Sequence, residues 1–289
     1  MKLYGLHEGF YEGIQLRIKL LGNACAKKEV DFICIDSLNF DYTQIPNLTK
    51  QDMLYNFARG SKTLENLLLN ENVTTFYRKN PQLNTIRSTT DWAIIHDKLG
   101  IQAPKTVFHF TTDRELLKKY VEHLGGFPII IKVTGGTRGI GTIKIESWQN
   151  LVSTMDYLLT TNNRFIMREF INAKYGARIM VLGEEVILSS KFFFQENDFR
   201  NAPILSSTNY ESMEIDTQTK KMCIEAVKSV NLELGGVDIL FDKEQKPYLL
   251  EINFPTGFQS FKDNPDYILS QMLTHLIKKA NTIDNKINN

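Results

Sequence analysis

The sequence predicts a mixed α/β (α+β) fold built in more than one part, and three observations carry that prediction. The chain opens with a β-loop-α-β order, its texture turns β-rich beyond residue 100, and it closes on a hairpin from Gly236 to Asn253 with opposed apolar positions. At 289 residues, 42% hydrophobic and 23% charged, it can bury one or two substantial cores.

Taken in order, Lys2 to Leu6 reads as a strand, and His7-Glu8-Gly9-Phe10 breaks it. Ile14, Leu16, Ile18, Leu20 and Leu21 then support a helix, and Val30 to Ile35 a second strand. Ligands of open α/β sheets sit beyond the carboxyl ends of strands, so the loop from His7 to Tyr11 is a substrate candidate. A helix from Lys62 to Leu69 precedes the apolar stretch Val73 to Tyr77, and Asn80-Pro81 marks a domain edge near residue 85. Ser88-Thr89-Thr90-Asp91 starts a helix that ends at Gly100. Phe127 to Val133 is an apolar strand, the glycine loop Thr134 to Gly141 follows, and Thr142 to Glu146 returns as a strand. Phe165 to Phe194 holds three β-like stretches, separated at Asn172-Ala173-Lys174 and Gly183-Glu184-Glu185. A helix from Thr219 to Val230 leads to the closing hairpin, and the polar end from Ala280 to Asn289 is expected to fray.

Lys plus Arg number 34 against 33 Asp plus Glu, a net charge of +1, which argues against a nucleic acid or an anionic membrane as partner. The three cysteines, Cys25, Cys34 and Cys223, form no C-x-x-C pair and read as small core hydrophobes of a reducing compartment. Met1-Lys2-Leu3-Tyr4-Gly5 offers no long apolar region with a cleavage site, and no run approaches the ~18 apolar residues of a membrane span, so a cytoplasmic location is the expectation.

The glycine loop has no Gly-Lys-Ser/Thr ending and no helix after it, which removes the P-loop and dinucleotide readings. A kinase is removed by the lack of H-R-D and D-F-G. A glycine loop inside a hairpin can instead turn its backbone N–H groups on phosphates, with Lys132 supplying charge beside it. The bland alternative is a hairpin tip with a solvated lysine.

The closing hairpin is more specific. If Phe241 pairs with Tyr248, Ile239 faces Leu250 and Val237 faces Ile252 on one side, while Asp238 stands opposite Glu251 on the other, with Asn253 on the same side. Two opposed carboxylates repel, so a cation between them is expected, and an all-oxygen donor set suits Mg²⁺ or Mn²⁺. The alternative is one carboxylate turned to water or paired with a lysine. Arg178, Lys191 and Arg200 lie on neighbouring stretches, and fixed cations beside a metal are what phosphoryl transfer needs.

The order Lys132, glycine loop, Arg168-Glu169-Phe170-Ile171, Arg178, Asp198-Phe199-Arg200-Asn201, Asp238 and Glu251-Ile252-Asn253-Phe254-Pro255-Thr256-Gly257 resembles the RimK-like branch of the ATP-grasp ligases over about residues 85 to 275. The resemblance implies an ATP-grasp fold: an N-terminal open α/β domain over 1–85, a central lid over 86–167, a metal-holding C-terminal subdomain over 168–280, and a polar tail over 281–289. It implies that Lys132 and the loop glycines Gly135, Gly136, Gly139 and Gly141 hold ATP phosphates, with Lys191 a further contact, and that Glu169, Phe170 and Ile171 line the adenine pocket. Asp238, Glu251 and Asn253 would hold two Mg²⁺ ions, and Arg178 and Arg200 would stabilise charge in the transition state. Asn201 and Gly257 would border the substrate, with His7 the candidate from the N-terminal loop.

Three departures from the family pattern stand out. Thr89 stands where a second ATP-binding lysine is frequent, with Arg87 the nearby substitute. Gly176 and Ala177 replace an acidic and an aliphatic residue, and Phe192 follows Lys191 where arginine is common. The resemblance implies a carboxylate-amine ligase acting on an amino acid, a short peptide or a protein terminus, with ATP and Mg²⁺ and with homo-oligomerisation compatible. A non-catalytic ATP-binding regulatory protein of the same fold is the alternative.

Overall fold

A computed structural model of the chain describes residues 1–10, 13–58, 60–81, 89–133, 139–161, 164–194, 198–200, 210–257 and 265–285. The N-terminal part holds β1 (Lys2–His7), α1 (Ile14–Ala26), β2 (Asp31–Asp36), β3 (Asp52–Ala58) and α2 (Lys62–Leu68). Its sheet is parallel, in the order β2-β1-β3. Strand β3 is buried along its whole length, the pattern of a strand covered on both faces, and so carries no alternation to read in the sequence.

The central part begins with α3 (Thr89–Lys98), β4 (Thr106–Val107), α4 (Arg114–His123) and β5 (Ile129–Val133). It continues through β6 (Thr142–Ile145), α5 (Trp148–Leu159) and β7 (Phe165–Glu169). The antiparallel sheet β4-β7-β5-β6 is covered on one face by α4 and α5. Asp113 and Ser147 cap these helices by accepting bonds from Leu116 N–H and Asn150 N–H. Ile129, Ile131, Ile145 and Met167 point into that core, which leaves the alternate residues Ile130, Lys132, Lys144 and Arg168 on the uncovered face. The boundary expected after residue 167 falls inside β7, whose five residues all pair with β5, so the chain leaves this sheet at Phe170. Helix α3 packs not on this sheet but on the next, where Trp92 joins the core and the His96 ring lies 3.2 Å from the Ala226 carbonyl.

The C-terminal part comprises β8 (Tyr175–Leu182), β9 (Glu185–Phe193), β10 (Glu211–Ser212) and α6 (Thr217–Ser229). It is completed by β11 (Leu234–Phe241), β12 (Pro247–Asn253) and α7 (Pro265–Asn285). The antiparallel order is β10-β9-β8-β11-β12. One face buries Ala177, Ile179, Val237, Ile239, Leu249 and Ile252 against α6 and α3. Each fully buried aliphatic side chain contributes about 1.5–3 kcal/mol. The other face is divided: Met180, Leu182 and Leu234 pack on α7, α1 and β3, while Gly176, Arg178, Asp238 and Leu240 remain beside the lid sheet. Helix α7 runs through Asn285, into the stretch expected to fray, and residues 286–289 lie outside the described residues. No helix among the described residues is long and apolar enough to cross a membrane.

Candidate active site

Between the uncovered face of the lid sheet and the five-stranded sheet lies a cavity of about 650 Å³. Lys132, Thr142, Lys144 and Arg168 line it from above, and Leu240, Leu250 and Glu251 from below. The connection between the sheets, from Glu169 to Ala173, and the segment Asp198-Phe199-Arg200 close its sides. Its size falls within the roughly 300–1,000 Å³ of small-molecule and cofactor pockets.

The floor departs from the expected hairpin register at one place. Gly236, Val237 and Asp238 pair with Asn253, Ile252 and Glu251, as expected. A bulge then follows, so that Ile239 faces Leu249 and Phe241 faces Pro247, rather than Leu250 and Tyr248. The extra residue is Leu250. Because a bulge reverses the alternation, Leu249 enters the core, while Leu250 and Glu251 both face the cavity.

The chain itself supplies the cations that the opposed carboxylates demand. Arg178, opposite Asp238 on β8, donates from Nε and Nη2 to the two Asp238 oxygens, both at 2.6 Å. Asn253 Nδ2 donates to Asp238 Oδ2 at 3.1 Å, and Lys132 reaches down from the lid to Glu251 Oε2 at 2.6 Å. Burial pushes the Asp238 carboxyl up, opposed by the Arg178 charge and fork. Burial also raises Glu251, but Lys132, Arg178 and Arg168 together outweigh it and hold that carboxyl below its ordinary value. Asp238 is 1% exposed, so its pairing is a condition of folding as well as of chemistry. Among the described residues no three His, Cys, Asp or Glu side chains converge.

The glycine loop approaches the site at its described end. Gly139 and Gly141 have φ of +73° and +77°, and a β-carbon on Gly139 would lie 3.3 Å from Arg200 Cβ and Cδ. Arg200 in turn is locked on Asp198 by side-chain bonds of 2.9 and 2.7 Å, and these hydrogen bonds, with a lesser contribution from its charge, hold that carboxyl below its usual range. Gly135, Gly136 and Asn201 lie outside the described residues, as do Arg87 and the side chain of Thr89. Glu169, Phe170 and Ile171 line the cavity as grouped from the sequence, with Glu169 fixed by the Lys105 N–H at 3.0 Å.

Three further residues named from the sequence, Lys191 for the nucleotide and His7 and Gly257 for the substrate, do not line this cavity. Lys191 pairs with Ala177, not Arg178, and so projects from the helix-covered side of β9, where it binds Glu211 at 3.1 Å and lies over the Phe193 ring. His7 is buried at the end of β1, its Nδ1 3.1 Å from the Gly9 carbonyl, which makes that nitrogen the N–H donor, and its ring lies against Phe10 and Phe57. Gly257 does not line the cavity but lies beside Arg17 of α1.

Two cavity residues were not singled out as site residues. Arg168 is 8% exposed, donates to Thr106 Oγ1 and the Leu250 carbonyl, and adds its charge above Glu251. A lone arginine on the apolar strand Phe165-Ile166-Met167 was the available signal. Lys144 lies over the Phe170 ring at 5.0 Å. The Gly176 and Phe192 departures are one packing event: they pair across β8 and β9, and a β-carbon on Gly176 would lie 2.7 and 2.9 Å from the Phe192 Cε2 and Cε1 atoms.

Comparison with known proteins is consistent with this geometry. A family model of the RimK-like ATP-grasp domain matches residues 91–276. A probable alpha-L-glutamate ligase of Trichodesmium erythraeum is 28% identical over 183 residues, which are 62% of this chain and 60% of the relative. One from Shewanella baltica is 28% identical over 207 residues, 70% of this chain and 67% of the relative. The chain thus spans about 60% of the length of the first of these relatives. In fold, the ATP-grasp ligase PsnB, solved with a minimal precursor, Mg and ADP, superposes with a TM-score of 0.72 at 16% identity, covering 95% of this chain and 97% of its own. The D-alanine–D-alanine ligase of Bacillus anthracis gives 0.67 at 15% identity, covering 99% of both chains.

Proposed function

The chain belongs to the RimK-like ATP-grasp family, and on that premise we propose that it is an ATP-dependent carboxylate-amine ligase. A substrate carboxylate is phosphorylated by ATP, an amine attacks the resulting acyl phosphate, and ADP and phosphate leave as an amide forms. The observation that carries this reading is the cluster at the cavity's edge: Glu251 lines the cavity and binds Lys132, and Asp238, held by Arg178 and Asn253, stands opposite Glu251 on the neighbouring strand.

The residues take distinct parts. Lys132 and the glycine loop hold the phosphates, Glu169 to Ile171 hold the base, and Arg178 and Arg200 are fixed cations for charge developing on the transferred group. Their rigidity matters because positioning supplies most of the rate in such chemistry. Mg²⁺ fits the donor set: the carboxylates of Asp238 and Glu251 and the amide carbonyl of Asn253 donate through oxygen, and Asp238 Oδ1 and Glu251 Oε2, each engaged by one N–H in the bonds above, keep a second lone pair. When bound, the metal, two ions in this proposal, neutralises phosphate charge and orients the reacting oxygens.

The names of the relatives make glutamate the first amine to test, with other amino acids, short peptides and a protein terminus after it. The experiment is Mg²⁺-dependent ADP release by purified protein against pools of amino acids and dipeptides, with Glu251→Ala as control. ADP that depends on the pool and vanishes in the variant supports ligation. ATP binding without stimulation by any pool, or equal release by the variant, overturns it for small substrates and favours the regulatory reading.

A further inference from the structure

We propose that Arg168 is the residue that reads the nucleotide base, by donating to acceptors on it, and that the cavity therefore takes guanosine triphosphate as phosphoryl donor as well as ATP. The inference rests on the reading above that a nucleoside triphosphate fills the cavity, and adds which base is held there and by what.

Strand register places Arg168 at the base end. Lys132 and Thr142 pair across β5 and β6, and the glycine loop leaves the sheet just beyond them, with the Val133 N–H bonded to the Gly141 carbonyl. Arg168, Ile130 and Lys144 pair across β7, β5 and β6 in the next row of the same face. Two residues of strand rise set that row roughly 7 Å further from the loop. Beyond it the chain leaves the sheet through Glu169, Phe170 and Ile171. Phosphates held at Lys132 and the loop thus put the base below Ile130, above Leu250 and beside Arg168.

Arg168 differs from the other arginines of the site. Arg178 and Arg200 are each closed on a carboxylate by forked bonds. Arg168 is 8% exposed and forms no ion pair among the described residues. Its Nε donates to Thr106 Oγ1 at 3.1 Å and its Nη1 to the Leu250 carbonyl at 3.3 Å. A guanidinium has five N–H groups, so these two bonds leave three, on a buried cation that lines a ligand cavity. Buried donors without acceptors are unfavourable until a ligand supplies them.

A guanidinium donates and never accepts, and this decides between the purines. Guanine presents two acceptors side by side, N7 and O6, the pair that arginine forks bind, whereas adenine presents N7 beside an amino donor. Adenine therefore meets Arg168 through N7 alone. Glu169 supplies the other half of the match. The Lys105 N–H engages only its Oε2, which leaves Oε1 to accept, and guanine carries N–H donors at N1 and N2 on the edge that adjoins O6. Arg168 and then Glu169, donor and then acceptor, follow the order of that edge.

The test keeps base reading apart from nucleotide binding itself. Wild type and Arg168→Gln, each with Mg²⁺, are titrated by calorimetry with ADP, GDP and 7-deaza-GDP, which lacks the N7 acceptor. On wild type, GDP is expected to bind within about tenfold of ADP, and 7-deaza-GDP about fivefold more weakly than GDP. The glutamine amide can accept from an adenine amino group, so the ratio of GDP to ADP affinity is expected to fall about tenfold in Arg168→Gln. A purely structural role for Arg168 would weaken both nucleotides alike. An unchanged ratio in the variant, 7-deaza-GDP bound as tightly as GDP, or GDP bound far more weakly than ADP by wild type overturns the inference. If the variant does not fold, the three nucleotides on wild type decide it. Folded wild type that binds neither ADP nor GDP overturns the nucleotide reading beneath it.

Discussion

The Arg178–Asp238 pair makes fold and chemistry inseparable, and its energetics can be measured apart from activity. Arg178→Met leaves the Asp238 carboxylate, 1% exposed, with only the Asn253 amide at 3.1 Å in place of two 2.6 Å charged bonds. Breaking one side of a buried pair costs about 3–5 kcal/mol, whereas replacing both partners by apolar residues of similar volume is often close to neutral. Arg178→Met and Asp238→Leu should each lower the melting temperature by roughly 6–20 °C, at about 2–4 °C per kcal/mol. The double variant should recover most of that loss while remaining inactive in ADP release. A double-mutant cycle from thermal and urea denaturation gives the coupling. Coupling below about 1 kcal/mol, or single variants that melt with wild type, would refute the view that this pair is desolvated and mutually dependent.

Further outcomes follow from the same contacts. Lys132→Met removes a pair in which both side chains are about a quarter exposed, so it should cost only ~1 kcal/mol of stability while ADP release falls by well over tenfold, read by melting and by steady-state kinetics. Gly176→Ala drives a methyl group into the Phe192 ring and should cost about 1–3 kcal/mol, part of which Phe192→Leu restores in urea denaturation. Glu233 binds His275 at 3.0 Å and Lys279 at 2.8 Å; burial raises its carboxyl, but these partners outweigh that and hold it below its ordinary value. A depressed folded value stabilises above the unfolded value of about 4.3 and is lost as pH falls through the folded one. Wild type should therefore lose stability below pH ~4 more steeply than Glu233→Gln in melting curves taken across that range.

The sequence carries the site better than it carries the scaffold. Asp238 opposite Glu251 was readable because Val237, Ile239 and Ile252 alternate cleanly beside them, and near the carboxylates that register holds. The bulge at Leu250 was not readable, since Leu249 and Leu250 are equally apolar and nothing in composition says which one turns inward. Strand β3 escaped because burial on both faces removes its periodicity, and α4 and α5 lie in stretches for which no element is predicted. Lys191 was grouped with Arg178 by nearness in sequence, whereas strand pairing sets it one residue out of phase, on the opposite face.

The most direct test of the account follows an oxygen atom. Amino acids and dipeptides labelled with ¹⁸O in their carboxylates are incubated with protein, Mg²⁺ and ATP, and the phosphate released is analysed by mass spectrometry. Transfer through an acyl phosphate predicts phosphate carrying one ¹⁸O from the substrate, absent with Glu251→Ala. Released phosphate without label would contradict the ligase assignment, because the carboxylate would then never have been joined to the γ-phosphoryl group.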